Sequence, residues 1–325
     1  MNNLKKLGLT ALGTTLIASS AFAGTMDVTG SAGITFSGTS GNATGNGFSM
    51  NDEITFSGSG ELDNGWTVAV SMQLDNNAED ASAESTFDNR SITIGMGDMG
   101  TLSFVGHGGS AAMGNVDDVV PAVYGEAWDI LGANDKGAAS SGAIASATDD
   151  NSWFYSNSSL MDGLTVSLSY VPSDDTGGVE SSTDWGVAYT GIDGLTLGFA
   201  QGENNSGASA NHLDLTTAYA IYAYGPVTVG YQVSESDGTT TALSDDFTAM
   251  GITYAVTEDL SIGYNATVYD HGDQAVDEEA HSIGFSYTTG GMTISGAMAE
   301  EENLGGSTAA INDLKGYEIA VSFAF

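Results

Sequence analysis

From about residue 25 onward, apolar and polar positions alternate. Leu164, Val166, Leu168 and Tyr170 interleave with Thr165, Ser167 and Ser169. Val227, Val229, Tyr231 and Val233 interleave with Thr228, Gly230, Gln232 and Ser234, and Leu260, Ile262, Tyr264, Ala266 and Val268 with Ser261, Gly263, Asn265 and Thr267. Successive side chains on a strand point to opposite faces, so each run has one apolar face and one small, polar face. The connections are of two kinds. Tight turns fall at Asp63-Asn64-Gly65, Gly97 to Gly100, Asp162-Gly163, Asp193-Gly194, Gly225-Pro226, Glu258-Asp259 and Gly290-Gly291. Gly, Asn and Asp tolerate the backbone angles that short hairpins demand. Longer Gly/Ser/Asn/Asp-rich stretches lie at 38–51, 76–88, 107–150, 172–182, 201–210, 234–244, 270–279 and 300–313. The turns at 162, 193, 225, 258 and 290 recur at steps of 31, 32, 33 and 32 residues, one hairpin plus one long loop.

Sixteen strands, seven tight turns and eight long loops follow from this division. An even strand number with short turns on one side and long loops on the other is the pattern of an outer-membrane barrel. A soluble sandwich leaves one face of each sheet in water, usually charged; here that face is Ser, Thr, Gly and Ala, with the acids mostly in loops. A calcium-binding β-helix needs a far shorter repeat. Trp66, Tyr170, Tyr189, Phe199, Tyr231, Tyr254 and Tyr287 are candidates for the aromatic girdles of such a barrel. No run approaches 18 apolar residues, so no transmembrane helix is expected.

The N-terminus adds an address. Lys5 and Lys6 precede the apolar run Leu7 to Ile17, and Ala21-Phe22-Ala23 forms a small-x-small cleavage site, so residues 1–23 read as a signal peptide and 24–325 as one barrel domain. The whole chain carries 42 acids, five bases and no Cys, for a net charge of −37. Cleavage takes Lys5 and Lys6 away, leaving Arg90, Lys136 and Lys315 and a charge of −39. That balance excludes non-specific nucleic-acid binding, which needs bases to neutralise phosphates. Absent Cys excludes disulfides and thiolate chemistry. At the other end Tyr317, Ile319, Val321, Phe323 and Phe325 alternate with Glu318, Ala320, Ser322 and Ala324. Ordered apolar termini are uncommon because chain ends fray. A last strand paired with the first, Thr25 to Ser37, explains it, since an open edge cannot face lipid.

These features together resemble the general bacterial porins, in particular the Rhodobacter-type 16-stranded porins of alphaproteobacteria. The resemblance covers the whole mature chain and rests on architecture more than on a motif. It implies an all-β, 16-stranded antiparallel transmembrane barrel in the outer membrane, conducting ions and small hydrophilic solutes passively. It also implies a homotrimer, contact with lipid and lipopolysaccharide, and a long third external loop, residues 107–150, folded into the pore. The C-terminal residues Tyr317, Phe323 and Phe325 resemble the signal read by the barrel-assembly machinery. Val28, Ala32, Ile34 and Phe36 suit a protein-facing wall.

A 16-stranded barrel is wide enough to leave a water-filled channel, so something must restrict it. Loop 107–150 offers Asp117, Asp118, Glu126, Asp129, Asp135, Asp149 and Asp150 as constriction candidates, with Tyr124, Trp128 and Ile130 as anchors. Long loops without structure of their own are uncommon and usually functional. The porins it resembles set a basic cluster opposite the loop; three bases cannot form one. Arg90, opening the fourth strand on the Thr93 side or near the rim, is the candidate basic pore residue. Acid-lined pores concentrate cations, so cation selectivity is expected.

Other constellations carry less. Gly95-Met96-Gly97-Asp98-Met99-Gly100 matches GxGxxG, but a strand follows where a dinucleotide site needs a helix, so it reads as a hairpin turn. His107, His212, His271 and His281 lack metal spacing, His281 lying on the apolar side with Ile283, and no nucleophile–base pair is present. No enzyme and no required cofactor are expected. Calcium is a weak candidate at Asp75, Glu79 and Asp80, and at Glu300, Glu301 and Glu302, none with EF-hand spacing. The alternative from another class is a secreted or surface-attached acidic β-protein, cation-binding or adhesive.

Overall fold

The computed structural model describes residues 26–40, 47–75, 87, 89–108, 111–127, 130, 151–173, 180–205, 212–240, 244–309 and 313–325. The expected leader, residues 1–23, lies outside them. The first quarter of the barrel is β1 (Met26–Thr39), β2 (Phe48–Glu61), β3 (Thr67–Asp75) and β4 (Asn89–Gly95). It continues through β5 (Thr101–His107), β6 (Ser152–Met161), β7 (Leu164–Val171) and β8 (Ser182–Ile192). Then come β9 (Leu195–Asn204), β10 (Leu213–Tyr224), β11 (Val227–Gly238) and β12 (Asp245–Ala255). The last four are β13 (Leu260–His271), β14 (Glu278–Thr289), β15 (Met292–Glu302) and β16 (Leu314–Ala324).

Each strand pairs antiparallel with its sequence neighbours, and β1 pairs with β16 to close the barrel. Closure satisfies every strand edge, which hydrocarbon requires because it offers no hydrogen-bonding partner. The seam sets Ile34 opposite Val321 and Phe36 opposite Ile319. At its end, Gly30 and Phe325 exchange two backbone hydrogen bonds of 2.9 Å. A side chain at Gly30 would stand 2.9 Å from the Phe325 ring, so the glycine makes room for the terminal aromatic. The expected turns join the strands, and the GxGxxG match is a single 3-10 turn, Gly97–Met99, between β4 and β5.

Register sorts the two faces. Val229, Tyr231 and Val233 on β11 lie beside Ile252 and Met250 on β12, all exposed on the outside. Gln232 and Thr217, one position out of phase, are fully buried on the inside. Tyr170, Tyr189, Phe199, Tyr231, Tyr254 and Tyr287 share the outward register, whereas Trp66 sits in the turn between β2 and β3. A water-soluble β-protein is not favoured, because so broad an exposed apolar face requires a covering phase. Strands β12 to β15 run 11 or 12 residues, enough to cross the hydrocarbon, which a tilted strand does in about 9–11.

Candidate functional site in the lumen

Residues 111–127, between β5 and β6, are held against the inward face of the wall. Val116 and Asp117 donate backbone hydrogen bonds to Met113 O at 2.9 and 3.0 Å, closing a helix-like turn. The turn brings Met113 and Val116 together, and with Val120 they join a buried cluster of Ala200, Leu215, Phe247, Ala249 and Tyr269 from β9, β10, β12 and β13. Further along, Tyr124 and Ile130 pack on Ala297, Ala299, Leu304 and Leu314. Burial of apolar side chains is worth about 1.5–3 kcal/mol each and supplies the attachment.

Polar contacts fix the position. Ala112 N–H donates to Ser169 Oγ at 3.0 Å, and Ala127 N–H to Asn265 Oδ1 at 2.9 Å. Val119 N–H donates to Gln232 Oε1 at 3.0 Å, while Gln232 Nε2 donates to the Asp117 carboxyl. Ser234 Oγ donates to the same carboxyl at 2.9 Å. The Tyr124 hydroxyl donates to Glu318 on β16. Burial, reinforced by the Glu318 carboxylate, raises the Tyr124 phenol well above its ordinary range. The backbone passes so close to β12 and β13 that a side chain on Gly251 would collide with Pro121, and one on Gly263 would meet Val123 at 3.2 Å.

The facing wall, β1 to β5, is polar. Gln73 Nε2 donates to Glu53 at 2.7 Å, and Asn89 Nδ2 to Gln73 at 2.6 Å, a ladder across β2, β3 and β4. Thr93 and Ser103 hydroxyls bond at 2.8 Å. Register points Asp27, Glu53, Glu61, Asp184, Asp245, Glu278, Glu301 and Glu318 inward. The bases among the described residues, Arg90 and Lys315, take the other face. Arg90 pairs with Met72 in the same outward phase as Ile92, and its Nε lies 2.9 Å from the Cβ position of Gly106. Lys315 pairs with Glu300 outside the barrel, Nζ to Oε2 at 2.6 Å.

Several sequence expectations change as a result. Arg90 takes the outward register, since Asn89, which bonds Gln73, holds the inward phase, and it borders the lumen only at the edge of the wall. Asp117 does not edge an open passage, being 5% exposed and bound to β11. Burial pushes its carboxyl up, with Asp118 adding to the shift and the Ser234 hydrogen bond opposing it. Asp118 is exposed and Glu126 half-buried beside the same segment. Asp129, Asp135, Asp149 and Asp150 lie outside the described residues, as do Lys136 and Trp128.

Glu300, Glu301 and Glu302 do not converge on one calcium ion, since consecutive strand residues point to opposite faces and only Glu301 is inside. Of the other calcium set, Glu79 and Asp80 and the Asp75 side chain lie outside the described residues. Tyr317 and Phe323 stand on the outward face of β16, and Phe325 ends the seam. The sequence reading missed the inward apolar anchors Leu215, Phe247 and Leu314. Their signal was present: Phe247 is in phase with Asp245, where a bare watery lumen gives an apolar ring no reason to be.

A family model for Gram-negative porins matches residues 8–324. Solved structures of Rh. blastica porin share the fold. A variant with five substitutions aligns at 18% identity and TM-score 0.66, covering 93% of this chain and 100% of its own. A triple mutant, named as Rhodopseudomonas blastica porin, gives the same coverages, identity and TM-score. Among curated proteins no match is found. The closed 16-stranded barrel and the match along nearly its whole length agree: the chain belongs to the Gram-negative porin family, channels of the outer membrane.

Proposed function

We propose that this porin passes cations in preference to anions, with loop 107–150 narrowing the passage. One observation carries the reading: every Lys and Arg among the described residues faces outward, while Asp27, Glu53, Glu61, Asp184, Asp245, Glu278, Glu301 and Glu318 on the wall face inward. Charges lining a narrow, low-dielectric passage concentrate ions of opposite sign. Solutes small enough to pass the inner segment diffuse without a catalytic step. A reversal potential in a KCl gradient tests it; a potential favouring chloride refutes cation preference and leaves the channel itself standing.

The outer surface supports a trimer in contact with lipid. Met26, Val28, Ile34, Phe36, Phe48 and Met50 form an exposed apolar face on β1 and β2, and Asp52 lies within it, opposite Ala32. A carboxylate on the lipid face is unfavourable, so this patch suits a second copy of the chain. Glu203, Asp214 and Asp237 form an outward acidic row across β9, β10 and β11, suited to the headgroup level and to lipopolysaccharide. Residues 1–23 act in this reading as the export leader.

A further inference from the structure

Between the inner segment and the wall of β3 to β6 lies a cavity of about 330 Å³. Ser71, Ser91 and Ser103 supply hydroxyls, Asn115 reaches it from the segment, and Asn89, Val105, His107 and Phe154 add to the lining. Phe154 is out of keeping with its surroundings. It opposes Ser103 on one side and Ser169 on the other, so its ring faces the lumen. Its neighbour Trp153 packs instead on Phe104 outside, with ring centroids 5.1 Å apart. Ser71 and Ser91 stand directly opposite each other, and neither hydroxyl has a hydrogen-bond partner among the described residues. Arg90 borders the cavity, but its side chain takes the outward register, so among the described residues no Lys, Arg, Asp or Glu side chain is directed in. A second cavity of about 190 Å³ shares Ser71 and Ser91 and adds Ser57, Ser59 and Thr93, extending the hydroxyl track along the wall as far as the Asp27 carboxylate.

The geometry points to a subsite for a neutral polyhydroxylated solute, a monosaccharide or polyol, held between the segment and this wall. Such a molecule presents apolar C–H groups on one face and hydroxyls around its edge. The first fits Phe154, and the second fits the serine hydroxyls and the Asn115 amide. An anion gains nothing from the negative face of the phenyl ring, and an apolar solute leaves the hydroxyls unpaired, which carries a desolvation penalty. The volume lies in the range of small-ligand sites. Conduction requires binding strong enough to enter and weak enough to leave, which shallow contact with one ring and a few hydroxyls provides. The subsite rests on the channel reading and adds a solute class to it.

The test uses the full-length porin in planar bilayers with KCl. Glucose or sorbitol is added, and polyethylene glycol of matched hydrodynamic size serves as the non-binding comparison. The expected result is a saturable drop in conductance with glucose and sorbitol that the polymer does not reproduce. Phe154→Leu raises the half-saturating concentration about five- to tenfold, the scale of one lost aromatic contact. Phe154→Trp, which keeps the platform, retains saturation. Glucose and polymer acting alike in wild type, or the Leu variant saturating like wild type, overturns the subsite. Absence of KCl conductance in wild type overturns the channel reading beneath it.

Discussion

Replacing Asp117 by Asn should abolish a pH dependence in the attachment of the inner segment. In the docked state Asp117 is 5% exposed, and its carboxyl is pushed up from 3.8 to about 7, mainly by burial. A raised carboxyl pKa means that the docked segment holds the proton more tightly than the released one. Docking is therefore strongest below about pH 4, weakens as pH rises to about 7, and is level above that. Each pH unit corresponds to about 1.4 kcal/mol, so the change amounts to at most roughly 4 kcal/mol. The amide that D117N introduces is neutral throughout and its oxygen still accepts from Ser234 and Gln232, which removes the slope.

The Val119 amide, bonded to Gln232 Oε1 at 3.0 Å, reports docking directly. Hydrogen exchange followed by mass spectrometry, corrected for the intrinsic pH effect, reads its protection. In wild type, protection should fall between pH 4 and pH 8 by up to about a thousandfold, the equivalent of that free energy. In D117N it should stay flat. Parallel profiles in the two proteins would show that the Asp117 proton does not govern docking.

Two further outcomes follow from the same geometry. Gly251→Val places a side chain where Pro121 passes, so the segment must shift; overpacking of this kind costs about 1–3 kcal/mol, and unit conductance should change while barrel strand content by circular dichroism does not. Unchanged conductance would mean that the segment does not set the passage. Deleting Phe325 removes the paired hydrogen bonds to Gly30, and outer-membrane yield should fall several-fold relative to wild type, measured by membrane fractionation; equal yields would remove the terminal residue from the assembly signal.

Strand number, turn positions and the outward apolar phase were legible because they are local. A period of two needs only neighbouring residues, and Gly, Asn and Asp mark turns through their own backbone freedom. The outward phase of Tyr231 or Tyr264 is fixed by the residues on either side. Even the acid excess was readable, with Arg90 and Lys315 too few to build a basic wall. Where Arg90 points was harder, since it lies near the start of its strand beside an irregular register between Arg90 and Ser91.

The contents of the lumen were decided by tertiary structure. Val119 meets Gln232 across 113 residues, Ala127 meets Asn265 across 138, and Tyr124 meets Glu318 across 194. Such pairs exist because closing the barrel curves β7 to β16 around one space that the segment between β5 and β6 can enter. No local propensity encodes that curvature. Asp117 was thus visible as an acid in a long loop, but its burial on β11 depended on where the wall stands. Sequence alone determined a barrel and its excess of acids; closure determined which acids the wall turns inward and which are held against it.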